Sequence, residues 1–194
     1  MIEKKSLRKF ARKVASRHSQ KGELSMIEAG AVMAGAAILA IAVIAGGKYV
    51  LDLIHSSQFK SEAQMFHTGI LNATQNDSDF SAETLQILAQ NHAFDAAGSR
   101  LATDKSAVKG LFNSTLSVSI GTLVTASDSI ILTYPVPATV CSMSVAALTT
   151  VYTQVSVNGT IVSAPATPFT SGSAATTCAS AGATATLALY TSRT

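Results

Sequence analysis

The sequence predicts an α+β protein. One long N-terminal helix, transmembrane at its start and amphipathic beyond, packs on a C-terminal antiparallel sheet domain held by one disulfide. Three observations predict it. An apolar run free of charge, residues 29–47, passes without a break into a helically periodic stretch, residues 48–70. Beyond Phe112 the chain turns to Ser, Thr, Val and Ala in short alternating segments. The two cysteines of the chain, Cys141 and Cys178, both stand in that later part.

The N-terminal segment sets the topology. Of the 14 Lys and Arg, eight lie in residues 1–22, opposed only by Glu3, so this leader carries +7 and the remainder −4. The pI of about 9.0 therefore describes the leader, and no nucleic-acid partner is expected for the body of the protein. Basic residues ahead of an apolar run predict a cytoplasmic N-terminus. The run itself is 19 residues long. A helix of that length spans about 30 Å of hydrocarbon, and its Ala and Gly allow close helix approach. A secretory signal would have a shorter apolar core followed by a small-residue cleavage site; here the run is long and continues into an amphipathic stretch.

Glu28 stands at the start of the run. A carboxylate at membrane depth costs about 2–3 kcal/mol at the centre and less near the interface, and is usually paired. Either Glu28 snorkels to the cytoplasmic face, or it takes a cationic partner at its own depth. The next basic residue on the same helix is Lys48. Proteolysis just ahead of the run would create a partner, the new α-amine of a neighbouring subunit.

From Lys48 onward Phe59, Ala63, Phe66 and Ile70 share one helical face, with Leu51 and Ile54 a little before them. Lys48, Asp52, Lys60 and Glu62 are expected elsewhere around the helix. No Pro interrupts residues 24–67, and Gly69 is the expected stop. A helix of about 45 residues is roughly 65–70 Å long, too long for a membrane alone, so its second half must pack on a periplasmic domain. Gly46 and Gly47 mark the junction of the halves. Each costs about 1 kcal/mol in a helix interior, which points to close helix packing or to a place where the helix stretches or melts.

Residues 71–194 are expected to form a globular head. "NATQNDSD" is a polar link. Ser81 is placed to cap a short helix reaching about Asn91, with Leu85, Ile87 and Leu88 on its buried side. Residues 93–110 read as loop with one helical turn. "STLSVSIGTL" and "SIILTYPV" alternate as strands, the second ended by Pro135 and Pro137. "CSMSVAALTTVYTQ" is apolar at helical spacing through Met143, Ala146, Ala147, Thr150 and Val151. "VSVNGTIV" is a hairpin turning at Asn158-Gly159, and "TATLALYT" is a final strand. An even pair of cysteines in a translocated domain predicts a Cys141–Cys178 disulfide. Closing a loop of that size contributes about 3–4 kcal/mol.

Catalysis finds little support. His18 lies in the leader, and His55 and His67 are too far apart along one helix to share a metal; these and His92 read as solvated positions. Asp77 and Asp79 lack the rest of a calcium loop and read as a turn leading into a helix. No Ser-His-Asp set, phosphate loop or carboxylate cleft is visible, so no metal and no cofactor is expected. The triplets at Asn72, Asn113 and Asn158 match the glycosylation pattern, as Ser/Thr-rich chains often do.

The leader ending in Gly22, the segment "GELSMIEAG" and the long apolar helix resemble the class III signal of type IV prepilins, and the leader length resembles the type IVb branch. The resemblance implies cleavage after Gly22 by a prepilin peptidase, with residues 23–47 kept as membrane helix and later as filament core. In that family a glutamate at the fifth mature position pairs with the amine of a neighbouring subunit. A cut after Gly22 makes Glu23 the first mature residue and Glu28 the sixth. A cut after Glu23 restores the fifth position but gives up the glycine, which is the stronger constraint. The stretch from "VPATVCSMSVAAL" through "TTCAS" to "ATLALY" is similar to the C-terminal half of type IVb pilins. There the first Cys begins a helix, the second lies in a loop, and the chain ends in a central strand.

Together these resemble the major pilins of conjugative-plasmid thin pili and of toxin-coregulated and bundle-forming pili. The implied protein is a structural subunit and not an enzyme. It sits in the bacterial inner membrane, then in an extracellular filament serving adhesion, aggregation or conjugative mating. The implied partners are further copies of the chain, the peptidase and the inner-membrane assembly platform. A minor pilin, a type II secretion pseudopilin and a membrane-anchored enzyme are the competing readings.

Overall fold

The computed structural model describes residues 26–193; along the first helix, side chains before Gly46 are described only at Ala37 and Val43. Helix α1 runs Met26–Ala73. It passes through Gly69 instead of stopping there. A Cβ on Gly69 would lie 2.3 Å from the carbonyl oxygen of Ala93, so this glycine admits a neighbouring backbone against the helix. The helix is closed by Thr74, whose hydroxyl and N–H both donate to the Ile70 carbonyl, at 2.8 and 3.1 Å.

Lys48–Thr194 is a compact unit in its own right. Within it Phe59, Ala63, Phe66 and Ile70 are fully buried, as their spacing predicts. Two expectations fail on the same helix. Leu51 and Ile54 remain about half exposed, and Glu62, expected on the solvated side, is buried.

Helix α2, Leu85–Gln90, is shorter than predicted. Its cap is Thr84, whose side-chain oxygen accepts the Ile87 N–H at 3.2 Å. Ser81 is instead engaged by Asp79, whose carboxylate accepts the Ser81 N–H at 2.8 Å. Leu88 and Ala89 are the buried residues of this helix, and Ile87 faces solvent. A 3-10 segment follows at Asp95–Arg100, broken by a kink at Gly98, where the sequence predicts one helical turn.

Five antiparallel strands form one sheet in the order β1-β2-β5-β3-β4. They are β1 Ser117–Gly121, β2 Ser129–Pro137, β3 Gln154–Val157, β4 Thr160–Ser163 and β5 Thr184–Ser192. The last strand is central, as the resemblance implies. Its alternation buries Ala185, Leu187 and Leu189 on the face shared with Ile130, Leu132, Tyr134 and Val136 of β2. Phe59 of α1 meets Tyr134 edge-on at 4.8 Å between ring centroids.

Pro135 does not end β2. Its carbonyl accepts the Ser114 hydroxyl at 2.8 Å, on the side away from β5. Its missing N–H therefore points where β1 has already ended, and no ladder bond is lost. The Asn158-Gly159 turn is as predicted: both residues have positive φ, 49° and 81°, the type I′ requirement. Asn158 also exchanges two bonds with the Thr186 backbone, at 2.8 and 2.9 Å, which carries the β3–β5 pairing one step into the turn.

Helix α3, Ala138–Leu148, buries Val140, Cys141, Ser144, Val145 and Leu148. That face differs from the predicted Met143, Ala146 and Ala147, and Thr150 and Val151 lie past its end. The buried face is fixed by what it meets: Ser144 shares a 2.9 Å hydrogen bond with Ser56 of α1, both fully buried. Helix α4, Ser171–Ala179, is not foreseen from its Ser/Thr/Gly-rich sequence. Thr176 and Thr177 turn their hydroxyls back to the carbonyls of Gly172 and Ser173, each at 2.9 Å. Cys178 therefore sits in the last turn of a helix and not in a loop.

Cys141 and Cys178 are bonded, with Cα atoms 5.8 Å apart and a sequence separation of 37. The bond ties α4, a weak helix former, to α3. Replacing both cysteines by Ser is expected to lower stability by about 3–4 kcal/mol. Thermal melting of the detergent-solubilised chain, with and without reductant, checks it. Coincident melting curves would show that the bond adds nothing.

Candidate functional site

Besides Cys141 and Cys178, bonded in the head, the sequence-predicted site residues fall into three groups. Gly22 and Glu23 lie outside the described residues. Glu28 falls on the helical backbone of α1, with its side chain outside the described residues. Gly46 and Gly47 lie within the same continuous helix, and a Cβ at either would meet nothing within 4 Å. Most side chains of residues 29–47 are likewise outside the described set, and among the described residues no helix is long and apolar enough to cross a membrane.

Just past the glycines the helix surface is apolar over more than half of its circumference, with Lys48, Asp52 and His55 on the remaining arc. Tyr49, Val50, Leu51, Leu53 and Ile54 are between 47% and 59% exposed. Their angular spread exceeds a half-turn, so one sheet packed on one side could not cover them. An apolar arc that wide and that exposed is normally covered by further protein or by lipid.

Further along, α1 carries a buried polar cluster that sequence reasoning missed. Glu62 accepts hydrogen bonds from Tyr134 Oη at 2.6 Å and Arg100 Nη1 at 3.3 Å, and its other oxygen pairs with Arg100 Nη2. Arg100 Nη1 also donates to the Lys109 carbonyl at 2.9 Å. Tyr134 Oη accepts the Leu111 N–H at 2.7 Å. Gly110 leaves room for this ring, since a Cβ there would lie 2.6 Å from it. The cluster thus joins α1, the end of the 3-10 segment, residues 109–111 and β2.

Burial, then the Glu62 hydrogen bond, raises the Tyr134 phenol well above the usual range, and the Glu62 hydrogen bond raises the Arg100 guanidinium. Both groups hold their protons, and the cluster is closed by its own bonds. Its role is to clamp, not to react. A signal was available: Glu62 lies three residues after Phe59 and four before Phe66, inside the apolar stripe.

The remaining candidates carry no reactive arrangement. His55 is exposed and meets Phe112 edge-on at 6.0 Å. His67 is half-buried, not solvated as expected; it meets Tyr152 edge-on at 5.0 Å, and burial lowers its pKa. His92 pairs with Asp95 at 2.8 Å on the surface. Asp79 holds a turn through Ser81, as the sequence suggests, and the hydrogen bonds from the Ser81 hydroxyl and N–H lower its pKa. Among the described residues no three His, Cys, Asp or Glu come together as a metal would need.

No protein-family model matches the chain, and no curated protein matches it in sequence. The fold does match a solved structure, that of TcpA, a type IV pilin from Vibrio cholerae El Tor biotype. The TM-score is 0.51 at 10% sequence identity, over 71% of this chain and 99% of that one. At that identity the likeness is one of fold: a long N-terminal helix, a five-stranded antiparallel sheet and the disulfide make up the type IV pilin fold.

Proposed function

We propose that this chain is a structural subunit, a major pilin of the type IVb branch, that polymerises into an extracellular filament used in adhesion, aggregation or mating. Residues 1–22 are the cleaved leader. Residues 23–70 are the long helix, of which 23–47 lie first in the inner membrane and then in the filament core, and residues 71–194 are the head. Gly46 and Gly47 let the helix adjust where the two environments meet.

The observation that carries this reading is the contrast along α1. From Phe59 to Ile70 the helix spends its apolar face on the chain's own core, while from Tyr49 to Ile54 it leaves apolar side chains about half exposed. At about 25 cal/mol per Å² of apolar surface removed from water, covering that surface with neighbouring helices is a strong drive to associate. The pilin-type fold and the basic leader before Glu28 support the same reading.

Processing gives the direct test. The mature protein is expected to begin at Glu23, and Gly22→Trp is expected to leave the leader attached. N-terminal sequencing of protein sheared from cells decides it. A mature start within or after residues 29–47 would make the leader a conventional signal peptide and end the filament reading.

A further inference from the structure

Residues 77–83, "DSDFSAE", form a short strap between the end of α1 and α2. Phe80 anchors it in the core, only 2% exposed. The Phe80 N–H donates to the Ser127 carbonyl at 3.0 Å, and the Arg193 guanidinium lies over its ring, 4.9 Å from the centroid. The strap turns on itself: the Asp77 N–H donates to the Thr74 carbonyl and the Glu83 N–H to the Phe80 carbonyl, each at 3.0 Å. These turns bring the carboxyl groups at its two ends, Asp77 and Glu83, into hydrogen bond with each other. Glu83 Oε2 is buried, and no donor from the rest of the chain reaches it.

An ionised carboxylate only accepts hydrogen bonds. Two of them can bond to each other only if one keeps its proton; with both ionised they repel. Among the described residues no cation pairs with either: the ion pairs of Arg100, His92 and Lys105 go to Glu62 and Asp95. The other charged groups around the strap are Asp79 within it, Asp128 in the β1–β2 turn and Arg193 after β5; residues 68–76, α2 and β1 carry none. Each of the three is engaged elsewhere. Asp79 accepts the Ser81 N–H. Asp128 accepts the N–H groups of Leu123, Val124 and Thr125 at 2.7, 2.6 and 2.7 Å. Arg193 donates to the Asp77 carbonyl, not to its carboxylate.

We propose that Asp77 and Glu83 share one proton, and that this proton is the catch that closes the strap over Phe80. It is held at low pH; as pH rises it is lost, and the repelling carboxylates loosen the strap. The inference holds whether or not the chain polymerises. The sign follows from the surroundings. Burial first, then the Asp77 charge, raises the Glu83 pKa above its ordinary value of 4.5. Stability contributed by the shared proton is therefore complete below that ordinary value and is lost as pH rises through the raised one. Asp79, Asp104 and Asp128 act in the opposite sense. Hydrogen bonds from Ser81, Ser106 and the Leu123 N–H favour their charged forms and lower their pKa values, so their contributions are lost as pH falls.

The full chain in detergent, with EDTA present, is melted between about pH 5 and about pH 8 beside Glu83→Gln. The Gln amide donates to Asp77 without a titrating proton. The variant is therefore expected to melt with wild type at the acid end and roughly 3 °C above it at the alkaline end. The difference between the two curves removes the other carboxylates, which both chains share. Chymotrypsin cleavage after Phe80 at about pH 8 should be roughly fivefold slower in Glu83→Gln, which places the change in the strap. NMR of the Glu83 side-chain carboxyl should show it titrating above the ordinary range in wild type and returning toward that range in Asp77→Asn, a readout that stands even if Glu83→Gln fails to fold. Ordinary titration of Glu83 in wild type, parallel melting curves, or equal cleavage of the two chains would each overturn the proposal. So would wild type that calcium stabilises at about pH 8 while leaving Glu83→Gln unchanged, since the pair would then be a seat for a cation and not for a proton.

Discussion

Arg100→Met is expected to destabilise the head by about 4 kcal/mol, because it leaves the Glu62 carboxylate buried with no cation. The Glu62 side chain is only 4% exposed, and after the change its one remaining partner is the Tyr134 hydroxyl. Glu62→Ala is expected to cost less, about 3 kcal/mol, since the stranded guanidinium is more exposed and keeps the Lys109 carbonyl. Arg100→Lys should fall between wild type and Arg100→Met, because an ammonium restores the charge but cannot serve both Glu62 oxygens and a carbonyl in a fixed fork. The double variant Glu62→Met/Arg100→Met should cost well under the sum, since neither charge is then left alone in the core. Thermal melting of the mature chain in detergent should show Arg100→Met lower by roughly 10 °C. If Arg100→Met melts with the wild type, the pair does not hold α1 to the sheet, and the aromatic contacts of Phe59 and Phe66 do so without it.

The cluster also marks the limit of what could be read from the chain. Elements whose signal is local were legible. Asn158-Gly159 fixes a hairpin because two successive residues must take positive φ. The stripe Phe59, Ala63, Phe66 and Ile70 fixes a buried helix face because its period is that of a helix. The misses come from partners far away in sequence. Gly69 reads as a helix stop until the Ala93 backbone is seen against it. The buried side of α3 is set by Ser56, 88 residues from Ser144. Arg100 and Tyr134 stand 38 and 72 residues from Glu62, and nothing local announces that the three converge. Helix α4 was lost because Ser and Thr favour turns and caps, and the disulfide that holds it in place carries no helical period. The site residues divide along the same line. Cys141 and Cys178 could be paired by counting, whereas Gly22, Glu23 and Glu28 rest on a motif and a charge pattern in the part of the chain beyond the described side chains.

Glu28→Ala is expected to abolish filament formation while leaving insertion, cleavage and head folding intact. Glu28 stands at the start of a run with no cation before Lys48, and a lone carboxylate near the membrane interior is unfavourable by about 2–3 kcal/mol at full depth. The isolated subunit therefore gains nothing from it. Cleavage after Gly22 would put an α-amine at the head of every mature helix, and stacking one helix beside another can bring that amine to a neighbour's Glu28. Once lipid is left behind, the pair would be enclosed by apolar helices, where an uncompensated amine costs about 3–5 kcal/mol. Repeated at every subunit, that penalty acts against each step of polymerisation. Glu28→Gln should be nearly as defective, because it keeps the shape and loses the charge, whereas Glu28→Asp should retain partial assembly with a shorter reach. Cells carrying each variant are sheared, and the filament fraction is compared with cleaved monomer left in the membrane. Mature monomer should accumulate in the membrane for Glu28→Ala and Glu28→Gln. Normal filament yield from Glu28→Ala would instead mean that the carboxylate only snorkels to the cytoplasmic face, and that the apolar surfaces of residues 29–54 set the stagger of the helices unaided.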